Sequence, residues 1–123
     1  DLVELMQACA RGTLGDVTAP VLSDDFALTV VMAAEGYPGT PKKGGTIDLC
    51  EAEADGAKVF HAGTKLEGDT LTSSGGRVLN VTARGASATE AQANAYAAVD
   101  AIDFVDGFCR RDIGQREVRR ERG

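Results

Sequence analysis

The sequence predicts an α+β fold, a small antiparallel β-rich domain with two flanking helices. Three observations lead there. Apolar residues at helical spacing open the chain and return over residues 88–102. Between them, β-branched runs alternate with glycine-rich turn signals. The length of 123 residues, 43% of them hydrophobic, suits one domain with one core.

Taken in order, Leu2, Leu5, Met6 and Cys9 fall at i, i+3, i+4 and i+7, which predicts a leading helix over residues 1–12 with Arg11-Gly12 as its stop. The run FALTVVMAA, residues 26–34, is nearly continuous in apolar residues and β-branched at its centre. That pattern predicts a central strand covered on both faces. Two prolines and four glycines in EGYPGTPKKGG, residues 35–45, then break regular structure and give a shaped loop. Short strands follow at TIDLC, AKVFHAGTKL, TLTSS and RVLNVTARG, separated by turns at Asp55-Gly56, Glu67-Gly68-Asp69 and Gly75-Gly76, so an antiparallel meander is expected. Ser87-Ala88-Thr89-Glu90 is a capping box, and Ala88, Ala91, Ala95, Ala98, Val99 and Ile102 form a stripe that packs the second helix on the sheet. The small alanines of that stripe allow a close approach.

Charge limits the partners. The net charge of -6 argues against a surface built to neutralise nucleic-acid phosphates. The charge is uneven: residues 1–109 carry -9, and the segment from Arg110 to Gly123 carries +3. Asp112, Glu117 and Glu121 interrupt that basic end and no aromatic follows Phe108, so residues 115–123 read as a solvated, flexible basic tail rather than a nucleic-acid arm. Cys9, Cys50 and Cys109 are odd in number and lack CxxC spacing, which fits reduced thiols and neither a disulfide framework nor a zinc site. No run of about 18 apolar residues and no charged-then-apolar leader occurs, so no membrane partner and a cytoplasmic location are expected. The chain begins without Met and enters a helix at its first residue, as a piece of a longer chain does.

Most catalytic constellations are absent. His61 is the single histidine, so no histidine-pair metal site forms. There is no P-loop of the GxxxxGKS or GxxxxGKT type and no GxGxxG, and Ser73 and Ser74 lack a nucleophile elbow. By itself the chain does not read as an enzyme, and no catalytic residue or metal ligand is assigned.

What remains is polar groups at strand ends and glycine loops. A period of two puts Arg77 at the head of the row Leu79, Val81, Ala83, where a lone cation needs an anion, either a carboxylate of the chain or a ligand at the rim of a cavity. Gly75 and Gly76 let a backbone or a ligand come close and offer amide groups, or simply make a hairpin turn. In VFHAGTKL, His61 shares a face with Val59, Gly63 and Lys65. It is either a satisfied semi-buried imidazole or a donor into a pocket, with room left by Gly63 and Thr64. Lys42 and Lys43 read as solvated loop charges.

In that order and at those spacings, GYPGTPKKGGTI, VFHAGTK, SSGGRVLNVTA, AYAAVDAIDF and FCRRDIG resemble the C-terminal domain of the phosphoribosylamine-glycine ligase family, also called glycinamide ribonucleotide synthetases, of the ATP-grasp superfamily. The likeness covers nearly the whole chain. It implies a β-rich cap of barrel-sandwich-hybrid type that packs on the ATP-grasp domains of the same longer chain. The reaction it implies joins glycine to 5-phosphoribosylamine through a glycyl phosphate, in de novo purine synthesis. ATP and magnesium, or manganese, would be held by preceding domains, with Asp1 just beyond the last metal ligand. Gly75, Gly76 and Arg77 match the motif expected near the phosphoribosylamine, and His61, Gly63 and Thr64 match the adjoining strand. Where the family often has an aromatic before RRDIG, this chain has Cys109. The resemblance favours a ligand anion for Arg77, because a guanidinium fork suits phosphate oxygens. The competing readings are a free-standing module binding a small anion or a protein, and a regulatory domain using the basic tail.

Overall fold

A computed structural model describes all 123 residues. A four-stranded antiparallel sheet lies at its centre, in the order β2 (Lys58–His61), β5 (Arg77–Gly85), β1 (Phe26–Ala34), β6 (Gly107–Phe108). Helix α2 (Ala88–Ala101) covers one face. A two-stranded sheet, β3 (Thr64–Glu67) with β4 (Thr70–Ser73), extends from one end. Helix α1 (Leu2–Arg11) precedes the sheet and helix α3 (Gln115–Arg122) follows it.

The two sheets are one long hairpin with a bend. Strand β2 pairs with β5 through Val59 to Val81 and His61 to Leu79, and β3 pairs with β4 through Thr64 to Ser73. Both arms break between these ladders, at Ala62-Gly63 and at Ser74-Gly75-Gly76. The amides of Ala62 and Gly63 both donate to the Val78 carbonyl, at 3.0 and 3.1 Å, and those of Ser74 and Gly75 both donate to the Gly63 carbonyl, at 2.7 and 3.1 Å. Doubled acceptors keep the backbone satisfied where the ladder is interrupted.

The core lies between this sheet and α2. Ala95, Ala98 and Val99 meet Val30, Met32, Leu79, Val81 and Ala83 in one buried cluster. Ser87 caps α2 by accepting from the Glu90 amide at 3.1 Å, as the capping box predicts, and Glu90 takes the Ala86 amide in return at 2.8 Å.

Four expectations need correction, the first being the antiparallel meander: β5 pairs with β2 and β1 and not with β4, so the strands are not neighbours in sequence order. Strand β1 is central but covered on one face only: Val30 and Met32 are buried, whereas Thr29 and Val31 share an open face with Phe60, Asn80 and Thr82. The apolar run reads as doubly covered because Val31 is as apolar as its neighbours. TIDLC is not a ladder strand. It makes two isolated bridges, Thr46 to Thr72 and Asp48 to Asp103.

The leading helix forms, capped by Asp1 and by Gly12 in the left-handed region (φ 71°), but its apolar stripe does not pack on the sheet. Residues 115–123 are not a loose tail. Val118 is 2% exposed, and the Glu121 carboxylate accepts from the Ala88 and Thr89 amides and the Thr89 hydroxyl at 2.5, 2.9 and 2.8 Å. One apolar residue and one carboxylate at the N-terminus of α2 thus dock a helix that its arginines make look solvated.

Candidate functional site

The candidate residues gather at the bend of the hairpin. Gly63 and Gly75 cross so closely that a Cβ on Gly63 would lie 2.5 Å from the Arg77 carbonyl oxygen and 3.0 Å from the Gly75 Cα. A Cβ on Gly76 would enter the ring of Tyr37, and the Gly76 carbonyl accepts from the Ala34 amide at 2.8 Å. The glycines are therefore required by backbone crossing, whatever else they contact. The Gly76 amide has no acceptor within the chain.

Arg77 does not continue the buried row. The register between β1 and β5 shifts, so Met32 faces Leu79 and Ala33 faces Arg77, with Val78 as the extra residue of a bulge. The bulge ends the strict alternation, and Arg77 is exposed while Val78 and Leu79 are both buried. Its guanidinium makes no hydrogen bond or ion pair with any residue of the chain, although the domain carries a net negative charge. The carboxylate alternative is thus not realised here. None of the five principal clefts is lined by Arg77, His61, Gly63, Thr64, Gly75 or Gly76.

His61 is exposed, and its Nδ1 lies 3.0 Å from the Thr64 hydroxyl, so the two flank Gly63 as one polar pair. Lys42, expected to be a free loop charge, instead donates to Asp106 at 2.5 Å, which with the nearby Glu35 holds its ammonium above the usual pKa. Lys43 is exposed. Two contributors escaped the sequence reading. Tyr37 packs on Gly76, and its position as the aromatic of a glycine-proline loop is the signal that could have marked it. The buried Ser73 accepts from the Gly45 amide at 3.1 Å and fastens that loop to β4.

No group of three or more His, Cys, Asp or Glu side chains converges anywhere in the chain. No helix is long and apolar enough to cross a membrane.

The arrangement offers an unpaired guanidinium, a free glycine amide and an imidazole-hydroxyl pair around a bend held by close backbone contact. Such groups can grip an anion or a sugar hydroxyl.

Comparison with known proteins agrees with the motif resemblance. The family profile described as phosphoribosylglycinamide synthetase, C domain, matches residues 27–116. The phosphoribosylamine-glycine ligase of Phenylobacterium zucineum is 56% identical over 122 residues, 98% of this chain and 29% of that protein. The ligase of the same name from Agrobacterium fabrum is 51% identical, over 99% of this chain and 29% of its own length. The crystal structure of phosphoribosylamine-glycine ligase from Thermotoga maritima superposes with a TM-score of 0.73 at 35% identity, covering 89% of this chain and 27% of that one. The chain thus spans less than a third of the length of these relatives. With the profile matched over most of its length and the same fold in a solved relative, the chain belongs to the phosphoribosylglycinamide synthetase C-domain family.

Proposed function

We propose that this chain is the C-terminal domain of an ATP-dependent ligase that joins glycine to 5-phosphoribosylamine, giving glycinamide ribonucleotide, ADP and phosphate in cytoplasmic purine synthesis. It serves as a non-catalytic wall of the phosphoribosylamine site. ATP and magnesium or manganese are held by the ATP-grasp domains of the longer chain, and this domain is inert alone. The observation that carries the reading is the unpaired Arg77 beside the free Gly76 amide, in a chain of this family. A phosphoryl dianion is the partner that a planar fork and a backbone amide suit together. Gly75, Gly63, Thr64 and His61 complete this face by fixing its backbone and adding a donor pair. In this reading the opposite wall of the site is supplied by the domains it packs on, because Arg77 is exposed and lines none of the five principal clefts.

The test is Arg77→Ala in the longer protein. The Michaelis constant for phosphoribosylamine should rise by roughly ten- to a hundredfold, the loss of a charge-assisted hydrogen bond, and that for ATP should stay the same. Arg77→Lys should restore part of the loss, keeping the charge without the fork. Normal phosphoribosylamine kinetics in Arg77→Ala would reject the phosphate role. Glycine-dependent ADP release by the 123-residue chain alone would reject the division of labour.

A further inference from the structure

Tyr37 occupies the space that any side chain at Gly76 would need. A Cβ on Gly76 would overlap the Tyr37 Cδ2 and lie 3.1 Å from its Cε2, so the ring closes over the glycine. Backbone bonds bracket this contact. The Gly76 carbonyl accepts from the Ala34 amide at 2.8 Å, and the Ala34 carbonyl accepts from the Tyr37 amide at 3.1 Å. Ala34, wholly buried at the end of β1, thus ties the ring and the glycine to the same point of the sheet.

The loop that carries the ring is also tied down. The Glu35 amide donates to the Asp106 carbonyl and the Lys42 amide to the Glu35 carbonyl, both at 2.8 Å, and the Gly44 amide donates to the Ser73 carbonyl at 2.7 Å. An ion pair from Lys42 to Asp106 closes the loop further. The phenol takes no part in this anchorage. The Tyr96 hydroxyl bonds the Arg110 carbonyl and the Ile113 amide, whereas the Tyr37 hydroxyl bonds no residue of the chain. What the fold uses at position 37 is the ring, pressed on the residue whose free amide stands beside the unpaired Arg77.

We propose that Tyr37 is a positioning residue for the anion grip formed by Gly76 and Arg77. Its ring holds Gly76 against β1, so that the amide and the guanidinium present one geometry to a phosphoryl group. The proposal rests on the reading of Arg77 as the phosphate-binding residue and adds the part that sets its aim. The Gly63 crossing holds Arg77 at its carbonyl, and Tyr37 holds the residue on its other side. A glycine released from such a contact has the widest backbone freedom of any residue, and freezing it would draw on the binding energy of the ligand.

Tyr37→Ala, Tyr37→Phe and Arg77→Ala in the longer protein, singly and combined, test this. Tyr37→Ala should raise the Michaelis constant for phosphoribosylamine by roughly three- to tenfold, the cost of ordering a freed segment on binding, and leave that for ATP unchanged. Tyr37→Phe should behave as the parent, because the hydroxyl is unbonded. Added to Arg77→Ala, Tyr37→Ala should cause a further rise of less than about twofold, since a residue that acts through Arg77 has little left to act on. Full additivity of the two substitutions, no effect of Tyr37→Ala, or an equal rise for ATP would overturn the proposal. Amide exchange at Ala34 in the 123-residue chain gives a readout that needs no catalysis. Its bond to Gly76 should lose protection by roughly tenfold in Tyr37→Ala and keep it in Tyr37→Phe. Retained protection in Tyr37→Ala would overturn the positioning role. Lost protection with Arg77→Ala kinetically silent would reject the phosphate reading and uphold Tyr37 as the residue that holds Gly76. Should Tyr37→Ala not fold, Tyr37→Leu, which keeps bulk without the flat ring, takes its place with the same directions expected.

Discussion

Gly63→Ala is the substitution that most directly tests the bent hairpin. A Cβ there meets the Arg77 carbonyl oxygen at 2.5 Å, the Gly75 Cα at 3.0 Å and the Gly75 amide nitrogen at 3.2 Å. All three are backbone atoms, so no rotamer change relieves the contact and one arm has to move. Overpacking of this kind costs about 1–3 kcal/mol. Gly63 is outside the positive-φ region, so alanine also removes unfolded-state freedom and returns about 0.4–1 kcal/mol. A backbone contact this far inside 3.0 Å belongs in the upper part of the overpacking range, about 2–3 kcal/mol, so the net expectation is a loss of about 1–2.6 kcal/mol, or roughly 4–10 °C in melting temperature. Gly75→Ala is the control. Its Cβ meets Gly63 Cα at 3.3 Å and the Arg77 carbonyl at 3.6 Å, so the entropy gain offsets a mild contact and stability should change by less than about 0.5 kcal/mol. Urea unfolding of the 123-residue chain followed by circular dichroism, with matched slopes, measures both. Gly63→Ala as stable as the parent would refute the crossing argument. If Gly75→Ala folds normally, it becomes a clean probe of ligand approach in the longer protein.

Val118→Ala should destabilise the chain by about 1.5–3 kcal/mol, the transfer of two buried methyl groups plus a cavity, as read by urea unfolding. Ser87→Ala should cost about 0.5–2 kcal/mol through loss of the N-cap bond to Glu90, measured in the same way. Glu121 makes stability depend on pH. The Ala88 amide first, then the Thr89 hydroxyl and amide, hold its carboxyl below the usual 4.5, so the native state favours the ionised form. Its contribution is full above that ordinary value and is lost as pH falls through the lower folded value. Glu121→Gln should therefore lower the melting temperature at pH 7, with the gap to the parent closing in acid. A pH-independent gap would contradict the cap.

Periodicity made the sheet-facing stripe of α2 legible, because Ala88, Ala91, Ala95, Ala98, Val99 and Ile102 recur at helical spacing and are buried or nearly so. Turn chemistry likewise marked Gly68 and the Gly75-Gly76 break. Tertiary events were not legible. The bulge at Val78 was not legible, because the adjacent apolar pair Val78-Leu79 reads equally as a regular strand with one apolar residue on its open face, as Val30-Val31 is in β1. Docking of α3 depends on Glu121 reaching Ala88, 33 positions away, and no local window contains both. The candidate site shows the same division. The bend brings Gly63 and Gly75 together, which the resemblance and not the spacing implied, and whether Arg77 has a carboxylate partner is a question about the whole surface.

That surface constrains how the site is completed. An exposed guanidinium binds phosphate weakly, because water at high dielectric competes for both ions and salt screens what attraction remains. Arg77 gains strength only when something covers it, and in this chain it is exposed. Affinity for a phosphoryl group should then be latent in the isolated chain and appear on assembly with the preceding domains. The glycine crossing sets where that strength is delivered. The Gly63 position contacts the Arg77 carbonyl directly, so the backbone bearing the guanidinium is fixed by packing before any ligand arrives. An Arg on a mobile loop would spend part of the binding energy on ordering. Here the close contact of two glycines has already supplied that order.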